Sequence, residues 1–528
     1  MNIPPATPSR TVAVIDVGTT SIRMQIAEVG QHGVRTLELL SQAVNLGHDA
    51  FSSGEISRHT IEACVAVLKD YREKMQEYQL RPEDVRIVAT SAVREATNRL
   101  AFIDRVFVAT GLSVEPIDVA EVHRVTYRSI QPLLRAQPSL FKSVSAIVEV
   151  SGGSTEVLML DQGNVASTQA LRLGALRLRQ MLQSFQVSHS RIRQVLEAEI
   201  QSLLEPLVEQ IPEGRDRNLV TVGGDVRIAA RELLGQSPRD DSLLELPMTL
   251  LAGFVDKILG YTEEELVHEL QITFAEAETL GPALLAYQRI AELLGVDRLL
   301  VSAANLRDGL IREMGEGRHW TDDFHRQIIR STWEIARKYH VDEDHARHVA
   351  DLSRLLFREL LPEHQLDVRY ETILYVAALL HEVGGFINPS SIHKHSMYII
   401  LNSELFGLTV DEVQLVGLIT RYHRRALPKP NHPIYSTLDR DRRVTVSKLA
   451  VLLRIAIALD ASRSQRIRKI ECHRVRNRLI ISVPNVDDVS VEQLAMPSAR
   501  SFFESVFGLQ LLLRTQVRAT ASEPSSQL

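Results

Sequence analysis

Two cysteines, Cys64 and Cys472, are all that a chain of 528 residues contains. So few thiols exclude a disulfide framework and a cysteine-based zinc site, and they point to a reducing compartment. Long hydrophobic runs are missing as well. Stretches such as "ILYVAALL" at 373–380 are far shorter than the roughly 20 apolar residues that span a bilayer. The opening "MNIPPATPSR" has no apolar core of a secretory signal. A cytoplasmic protein with no membrane partner is therefore expected. Charge of one sign is not in excess either. A net charge of −6 gives no global attraction to nucleic acid or to an anionic surface, so no specific nucleic-acid partner is expected.

What is present is an ordinary globular composition, 45% hydrophobic and 24% charged. The length implies about two to four domains. In the first three hundred residues, β-branched runs predict strands at "TVAVIDVG", "SIRMQIAEV", "VRIVAT", "SAIVEVSGG", "EVLML" and "NLVTVGG". Helical periodicity lies between them, at about 57–78, 95–109, 189–210 and 262–293. Such alternation predicts an α/β architecture. Beyond about residue 311 the strand signals fade and amphipathic helices run from about 320 to 464. A short strand follows at 478–485, "RLIISVPN", then a helix near 497–514. The change of texture puts a domain boundary in 311–319. The Pro-rich residues 1–10 and the polar residues 516–528 are expected to be disordered.

One internal repeat stands out. "VAVIDVGTTSIRMQIA" (12–27) lies over "SAIVEVSGGSTEVLML" (145–160) without a gap, so that Asp16 matches Glu149, Gly18 Ser151, Thr19 Gly152, and Ser21 Ser154. Each copy reads strand, acid, small-residue turn, strand. Such turns direct several backbone N–H groups at one point and so bind anions. Gly152 and Gly153 allow close approach, while Thr19, Thr20, Ser21, Ser154 and Thr155 add hydroxyl donors. Asp16 and Glu149, just before the turns, would repel a phosphate directly. They suit a Mg²⁺ ion or the orientation of an attacking water. In "VATSAVREATNR" (88–99) a strand gives way to a helix, with Thr90 or Ser91 as N-cap and Arg94 placed to clamp a phosphate. "VTVGGDVR" (220–227) is a candidate for closing the floor of the cleft.

These motifs together resemble the exopolyphosphatase/guanosine pentaphosphate phosphohydrolase family, Ppx/GppA. The family hairpin D-x-G-S/T-N-S is similar to "DVGTTS", the segment ending R-E-A-x-N to "ATSAVREATN", and D-I-G-G-G-S-T-E to "EVSGGSTE". "VTVGGDVRIAA" and "VSAANLRDGLI" also look like family segments. The region from "LLHEVGGF" to "RYHRR", with "LLRIAIALDASR", is similar to the HD-like C-terminal domain of longer members. The resemblance implies two lobes of the sugar kinase/Hsp70/actin fold, at 11–135 and 136–310, an all-α HD-like domain at 311–465, and a small C-terminal region at 466–515. It implies Mg²⁺-dependent hydrolysis of terminal phosphoanhydride bonds, in inorganic polyphosphate or guanosine pentaphosphate. Carried onto this chain, phosphate is held by Thr19, Thr20, Ser21, Arg94, Gly152, Gly153, Ser154 and Thr155. Metal is held by Asp16, Glu149 and Glu156, and catalysis falls to Glu121 and Glu149.

The departures from the pattern fall on the chemistry. Glu149 stands where the family has Asp, Ser151 where it has the first glycine of the second loop, and Thr20 where it has Asn. In "IDVAEVHRV" (117–125), Val122 takes the position of the family's water-activating Glu, and Glu121 is its neighbour. If that stretch is extended, the two side chains point to opposite sides. Either Glu121 has taken over through a local rearrangement, or the base is absent and Glu149 acts alone. A catalytically impaired regulatory protein that binds phosphorylated ligands is thus the alternative function. In the HD-like part the candidates are His345, His381–Glu382 and, where a last Asp would fall, Ile457. No catalytic metal pair is expected there, and His393 and His395 read as parts of a helical body that binds substrate or forms a homodimer. The basic stretches at 421–430 and 463–478 read either as solvated faces or as a track for a polyanion.

Overall fold

A computed structural model describes residues 9–30, 33–185, 191–208, 211, 216–316 and 322–516. Of the stretches expected to be disordered, 1–10 and 516–528, residues 1–8 and 517–528 lie outside those described, while Arg10 and Gln516 belong to strands. The chain divides into two compact units, Met1–His319 and Trp320–Leu528. Among the described residues, no helix is long and apolar enough to cross a membrane.

In chain order the first unit contains β1 (Arg10–Val17), β2 (Ser21–Gly30), β3 (Gly33–Ala43), α1 (Leu46–Ser52), α2 (Arg58–Glu77), β4 (Val85–Ala89), α3 (Ser91–Glu95), α4 (Arg99–Thr110), β5 (Glu115–Pro116), α5 (Val119–Ala136) and α6 (Pro138–Lys142). Then come β6 (Val144–Val150), β7 (Thr155–Asp161), β8 (Asn164–Leu171), α7 (Ala175–Ser184), α8 (Ile192–Val208), β9 (Arg217–Val222), α9 (Gly224–Leu234), β10 (Leu244–Pro247), α10 (Met248–Ile258), α11 (Glu263–Leu270), α12 (Phe274–Leu294), β11 (Arg298–Val301) and α13 (Leu306–Glu316). One sheet has the order β3-β2-β1-β4-β5, the other β10-β11-β9-β6-β7-β8. In each, an antiparallel meander meets a parallel strand on its inner side. β1 and β6 are apolar on both faces because helices cover both.

The sequence repeat is a structural repeat down to its irregularities. Asp16 pairs with Arg23 across β1–β2, and Glu149 with Glu156 across β6–β7. The β2–β3 ladder slips between Ile26 and Ala27, and β7–β8 slips at the equivalent Met159 and Leu160. Each half then ends on a strand feeding a helix, β5 into α5 and β11 into α13. Those two helices pack together so tightly that a Cβ on Gly309 would sit 2.3 Å from the Val125 carbonyl oxygen. α13 returns to the first sheet, where Leu306, Leu310 and Ile311 bury with Val12, Val14, Val122 and Val125.

Several elements differ from the sequence-based expectation. The helix over 262–293 is two helices, because Gln271 adopts left-handed backbone and Thr273 opens a second capping box with Glu276. The helix expected from residue 95 starts at Arg99, since Ala96 is extended. β3 and β8 were not foreseen. β3 is largely exposed and alternates polar with apolar side chains, so it shows no apolar run.

The second unit contains α14 (Asp322–Lys338), α15 (Glu343–Glu359), α16 (Leu361–His364), α17 (Arg369–Leu379), α18 (Ile392–Leu401), α19 (Val410–Arg421), α20 (Arg440–Leu459), β12 (Glu471–Val475), β13 (Arg478–Pro484), α21 (Ser490–Ala495), α22 (Pro497–Phe507) and β14 (Gln510–Gln516). The helix expected to reach residue 514 stops at Gly508, which is left-handed, and the next residues become β14, paired in parallel with β13.

The turn between β6 and β7 is wedged against Gly174, the residue before α7. A Cβ there would lie 2.4 Å from both the Gly152 carbonyl oxygen and the Gly153 carbonyl carbon, backbone atoms with nowhere to go. Gly174→Ala should cost about 1–3 kcal/mol in urea unfolding. Gly253→Ala, in open space within α10, should instead stabilise by about 0.5–1 kcal/mol.

Candidate active site

The two hairpin turns have the same construction. Gly18 N–H donates to the Ser21 carbonyl at 3.0 Å, and Ser151 N–H to the Ser154 carbonyl at 2.9 Å. The Thr19 carbonyl accepts from Gly47 N–H in the first turn of α1 (2.7 Å). At the equivalent place, Gly152 accepts from Leu176 in the first turn of α7 (3.0 Å). The turns touch: a Cβ on Gly152 would stand 2.3 Å from Thr19 Oγ1, and one on Gly153 2.3 Å from Ser91 Oγ. Glycine is required at both positions by this approach.

One cleft is lined by both turns. Its walls include Asp16, Gly18–Ser21, Arg23, Thr90, Ser91, Arg94, Val122, Glu149–Gly152, Ser154, Glu156, Gly223–Asp225, Glu276 and Thr279. The expected Thr19, Thr20, Ser21, Arg94, Gly152, Ser154, Asp16, Glu149 and Glu156 are thus brought together. Gly153 and Thr155 are not on the wall. Gly153 packs against Ser91 and Phe51, and its carbonyl accepts from Arg177 (2.7 Å). Thr155 is fully buried and its hydroxyl donates to the Leu173 carbonyl at 2.5 Å, so it clamps the loop rather than offering a donor to a ligand. Arg94 reaches the cleft while donating to the Ile117 carbonyl at 3.1 Å.

Glu121 does not join them. Residues 119–136 form a helix, not an extended strand, capped by Asp118, whose carboxylate accepts from Glu121 N–H (2.8 Å). Glu121 is 8% exposed and its carboxylate is held by Arg86 at 2.6 Å and Arg124 at 3.0 Å. Glu313 of α13 pairs with both arginines. Val122 alone of the two lines the cleft. A helix turns about 100° per residue, and that rotation carries Glu121 into the α5–α13 seam.

The acids differ in environment. Burial, followed by repulsion from Glu156 and Asp16, raises the Glu149 carboxyl to about 7. Thr126 donates a long hydrogen bond to it, 3.5 Å. Asp16 is also raised, by burial against the pull of Arg307 and Arg23, and its Oδ1 is buried with no hydrogen-bonding partner in the protein. Glu156 is fully engaged: His123 Nε2 lies 2.7 Å from Oε2, and Ser154 donates to Oε1 at 2.8 Å. Burial raises Asp225, in the first turn of α9, to about 6, opposed by a hydrogen bond from Thr279 at 2.9 Å. Asp225, Arg23, Glu276 and His123 were missed from sequence. Only Asp225 had a local signal, the glycines after β9. The others reach the site through strand register or from remote helices.

Five carboxylates and two guanidinium groups line the cleft. A polyanion would meet net repulsion there unless cations entered with it. Among the described residues, the cleft acids do not bring three ligand atoms within 4.8 Å of one another. This spacing fits a hard cation held by one or two carboxylates and by substrate oxygens. Asp16, with its unpartnered oxygen, and Glu149 fit that role; Glu156 is occupied.

A family model described as the Ppx/GppA phosphatase family matches residues 25–316, and one described as Ppx/GppA phosphatase, domain III, matches residues 328–492. A guanosine-5'-triphosphate,3'-diphosphate pyrophosphatase of Photobacterium profundum is 24% identical over 444 residues, 84% of this chain and 86% of its own. That of Vibrio vulnificus is 26% identical over 449 residues, with the same coverage of both chains. A solved exopolyphosphatase from Cytophaga hutchinsonii, 21% identical, superposes with a TM-score of 0.53 over 58% of this chain and 98% of its own. This chain accordingly shares an α/β fold with that exopolyphosphatase over the superposed part.

Two outcomes follow from the geometry. Glu121→Gln should lower stability by about 1–3 kcal/mol, because Arg86 and Arg124 each lose one of their carboxylates and keep Glu313, while turnover per folded molecule stays unchanged; urea titration and assays at matched folded fraction check this. Glu149 retains its proton in the folded state above the pH at which the unfolded chain releases it. Its contribution to stability therefore falls as pH rises from 4.5 to about 7. Glu149→Gln should be more stable than the native chain by up to about 3 kcal/mol at pH 8 and no more stable at pH 4, by denaturant titration at both pH values.

Proposed function

Because this chain belongs to the Ppx/GppA phosphatase family and is a hydrolase of that kind, we propose that it removes terminal phosphoryl groups from inorganic polyphosphate or guanosine pentaphosphate, with Mg²⁺. The observation that carries this reading is the meeting of the two equivalent hairpin turns on one cleft beside Asp16 and Glu149. In the proposal, Thr19–Ser21, Gly152, Ser154, Arg23 and Arg94 hold the terminal phosphate. Asp16 would hold Mg²⁺, which when bound neutralises phosphate oxygens and lets the polyanion into an acidic cleft. Glu149, with its carboxyl near neutrality, accepts the proton of the attacking water. Arg227 and Arg307 stand close enough to stabilise its ionised form and that of Asp16. The HD-like character of the helical unit belongs to the same proposal, resting on the segments after residue 379 and on the domain III match, with roles in substrate binding and homodimer formation in a cytoplasmic protein.

A second reading has a specific observation behind it. Val122 offers no proton acceptor, and Glu121 is locked in the helix seam. A cleft that binds phosphoanhydrides and turns them over slowly, as a regulatory protein would, also fits.

Phosphate release from long polyphosphate and from guanosine pentaphosphate, with Mg²⁺ and with a binding assay on the same preparation, decides between them. Hydrolysis with an ascending limb near pH 7 is expected. Glu149→Gln should lower kcat at least about a hundredfold with binding retained. Binding without release supports the regulatory reading. Absence of both, or full turnover in Glu149→Gln, sinks the proposed site.

A further inference from the structure

Val122 brings no polar atom to the cleft, yet the residue after it reaches the cleft indirectly. α5 turns about 100° per residue. That rotation carries Glu121 into the seam with α13, Val122 onto the cleft wall and His123 against β7. His123 is 2% exposed, and its Nε2 lies 2.7 Å from Glu156 Oε2. A carboxylate oxygen accepts, so the ring donates through Nε2–H. Glu156, itself 4% exposed, accepts from the Ser154 hydroxyl on its other oxygen at 2.8 Å. Both carboxylate oxygens are taken, and the side chain cannot turn without stranding one of them in the interior. The contacts thus run from α5 through β7 to the turn between β6 and β7, and they end on the cleft wall at Ser154.

The backbone of Ser154 is spent inside its own turn. Its N–H donates to Ser151 Oγ at 3.2 Å, and its carbonyl accepts from the Ser151 N–H at 2.9 Å and the Ser151 hydroxyl at 3.0 Å. What remains is the hydroxyl, which has one proton to donate and two lone pairs. With the proton directed at Glu156, Ser154 turns lone pairs toward the cleft. Lone pairs repel the bare oxygens of a phosphate and accept from a water. The hold of Ser154 on the terminal phosphate therefore runs through a water lying against phosphorus.

We infer, on the phosphoanhydride hydrolysis proposed for the cleft, that His123 is the positioning residue for the attacking water: through Glu156 it fixes the Ser154 hydroxyl as the acceptor that orients that water, in place of the acid that Val122 lacks. In the step so arranged, the water oxygen bonds to phosphorus while the bridging P–O bond breaks and its electron pair stays with the leaving group. One water proton passes to Glu149. The other, held in the hydrogen bond to Ser154, leaves on the released phosphate.

The test measures kcat and KM of the full chain with Mg²⁺, on whichever of polyphosphate and guanosine pentaphosphate the native chain hydrolyses, at a folded fraction fixed by urea titration. Gln can place its amide nitrogen where imidazole Nε2 lies, and Asn, one methylene shorter, cannot. His123→Asn and His123→Ala should each lower kcat about ten- to a hundredfold with KM within about twofold, while His123→Gln stays within about threefold of the native kcat. Ser154→Ala should lower kcat by a similar factor. Adding His123→Asn to it should cost less than about twofold more, because residues that act through one hydroxyl are not additive. If His123→Ala does not fold, the Asn and Gln variants decide, since both keep a polar group in the core. Native kcat in Ser154→Ala, equal kcat in His123→Gln and His123→Asn, a loss confined to KM, or additive losses in the double variant overturns the inference and leaves the hydrolase reading standing. A native chain that releases phosphate from neither substrate overturns both.

Discussion

The constraint on which the first unit depends is the contact between two turns with no room for a methyl group. Gly152 meets Thr19, Gly153 meets Ser91, and Gly174 meets the backbone of both glycines. Each turn is also tied by its carbonyl to the start of a helix, α1 or α7. The turns therefore cannot drift without moving a helix and a sheet. Asp16 and Glu149, one strand residue from each turn, inherit that rigidity. Preorganised groups of this kind stabilise a developing charge without reorganising when it appears.

Duplication explains the shape of the cleft, and divergence within the duplication explains its chemistry. Arg23 and Glu156 occupy equivalent positions, across the ladder from Asp16 and Glu149. The first half thus carries an acid opposite a base, and the second an acid opposite an acid. The pair of acids is what raises Glu149, after burial itself. A carboxyl held near neutrality is costly to a fold and useful to a proton transfer. In the same way, the ion network of Arg86, Glu121, Arg124 and Glu313 fastens α5 to α13, and it consumes the one glutamate that lay beside the expected base position.

The helical unit applies the same principle differently. Three of its buried imidazoles, His345, His381 and His423, are anchored through Nδ1, to Asp460, Ala378 and Thr420. Anchoring fixes which nitrogen is bare. Of these, His381 Nε2 is buried without a hydrogen-bonding partner in the protein, and it forgoes a hydrogen bond that water would have supplied.

By itself the sequence determined what is local and periodic: the α/β alternation, the two strand–acid–turn–strand motifs, their gapless correspondence, and the residues that line both turns. Those signals depend on a side chain's near neighbours along the chain, and β-branched runs, glycines and hydroxyls report them directly. Tertiary structure alone decided which acids are available. Glu121 was lost because its stretch is a helix with a partner helix nearly two hundred residues away, and Thr155 because its hydroxyl closes on Leu173. Asp225, Glu276 and His123 entered the site through packing of distant elements. Asp460 replaced the counted Ile457 because a helix end, three residues later, is what reaches His345. Burial, register and helix phase are set by contacts between segments far apart in the chain, and those contacts leave no mark in the local pattern of residues.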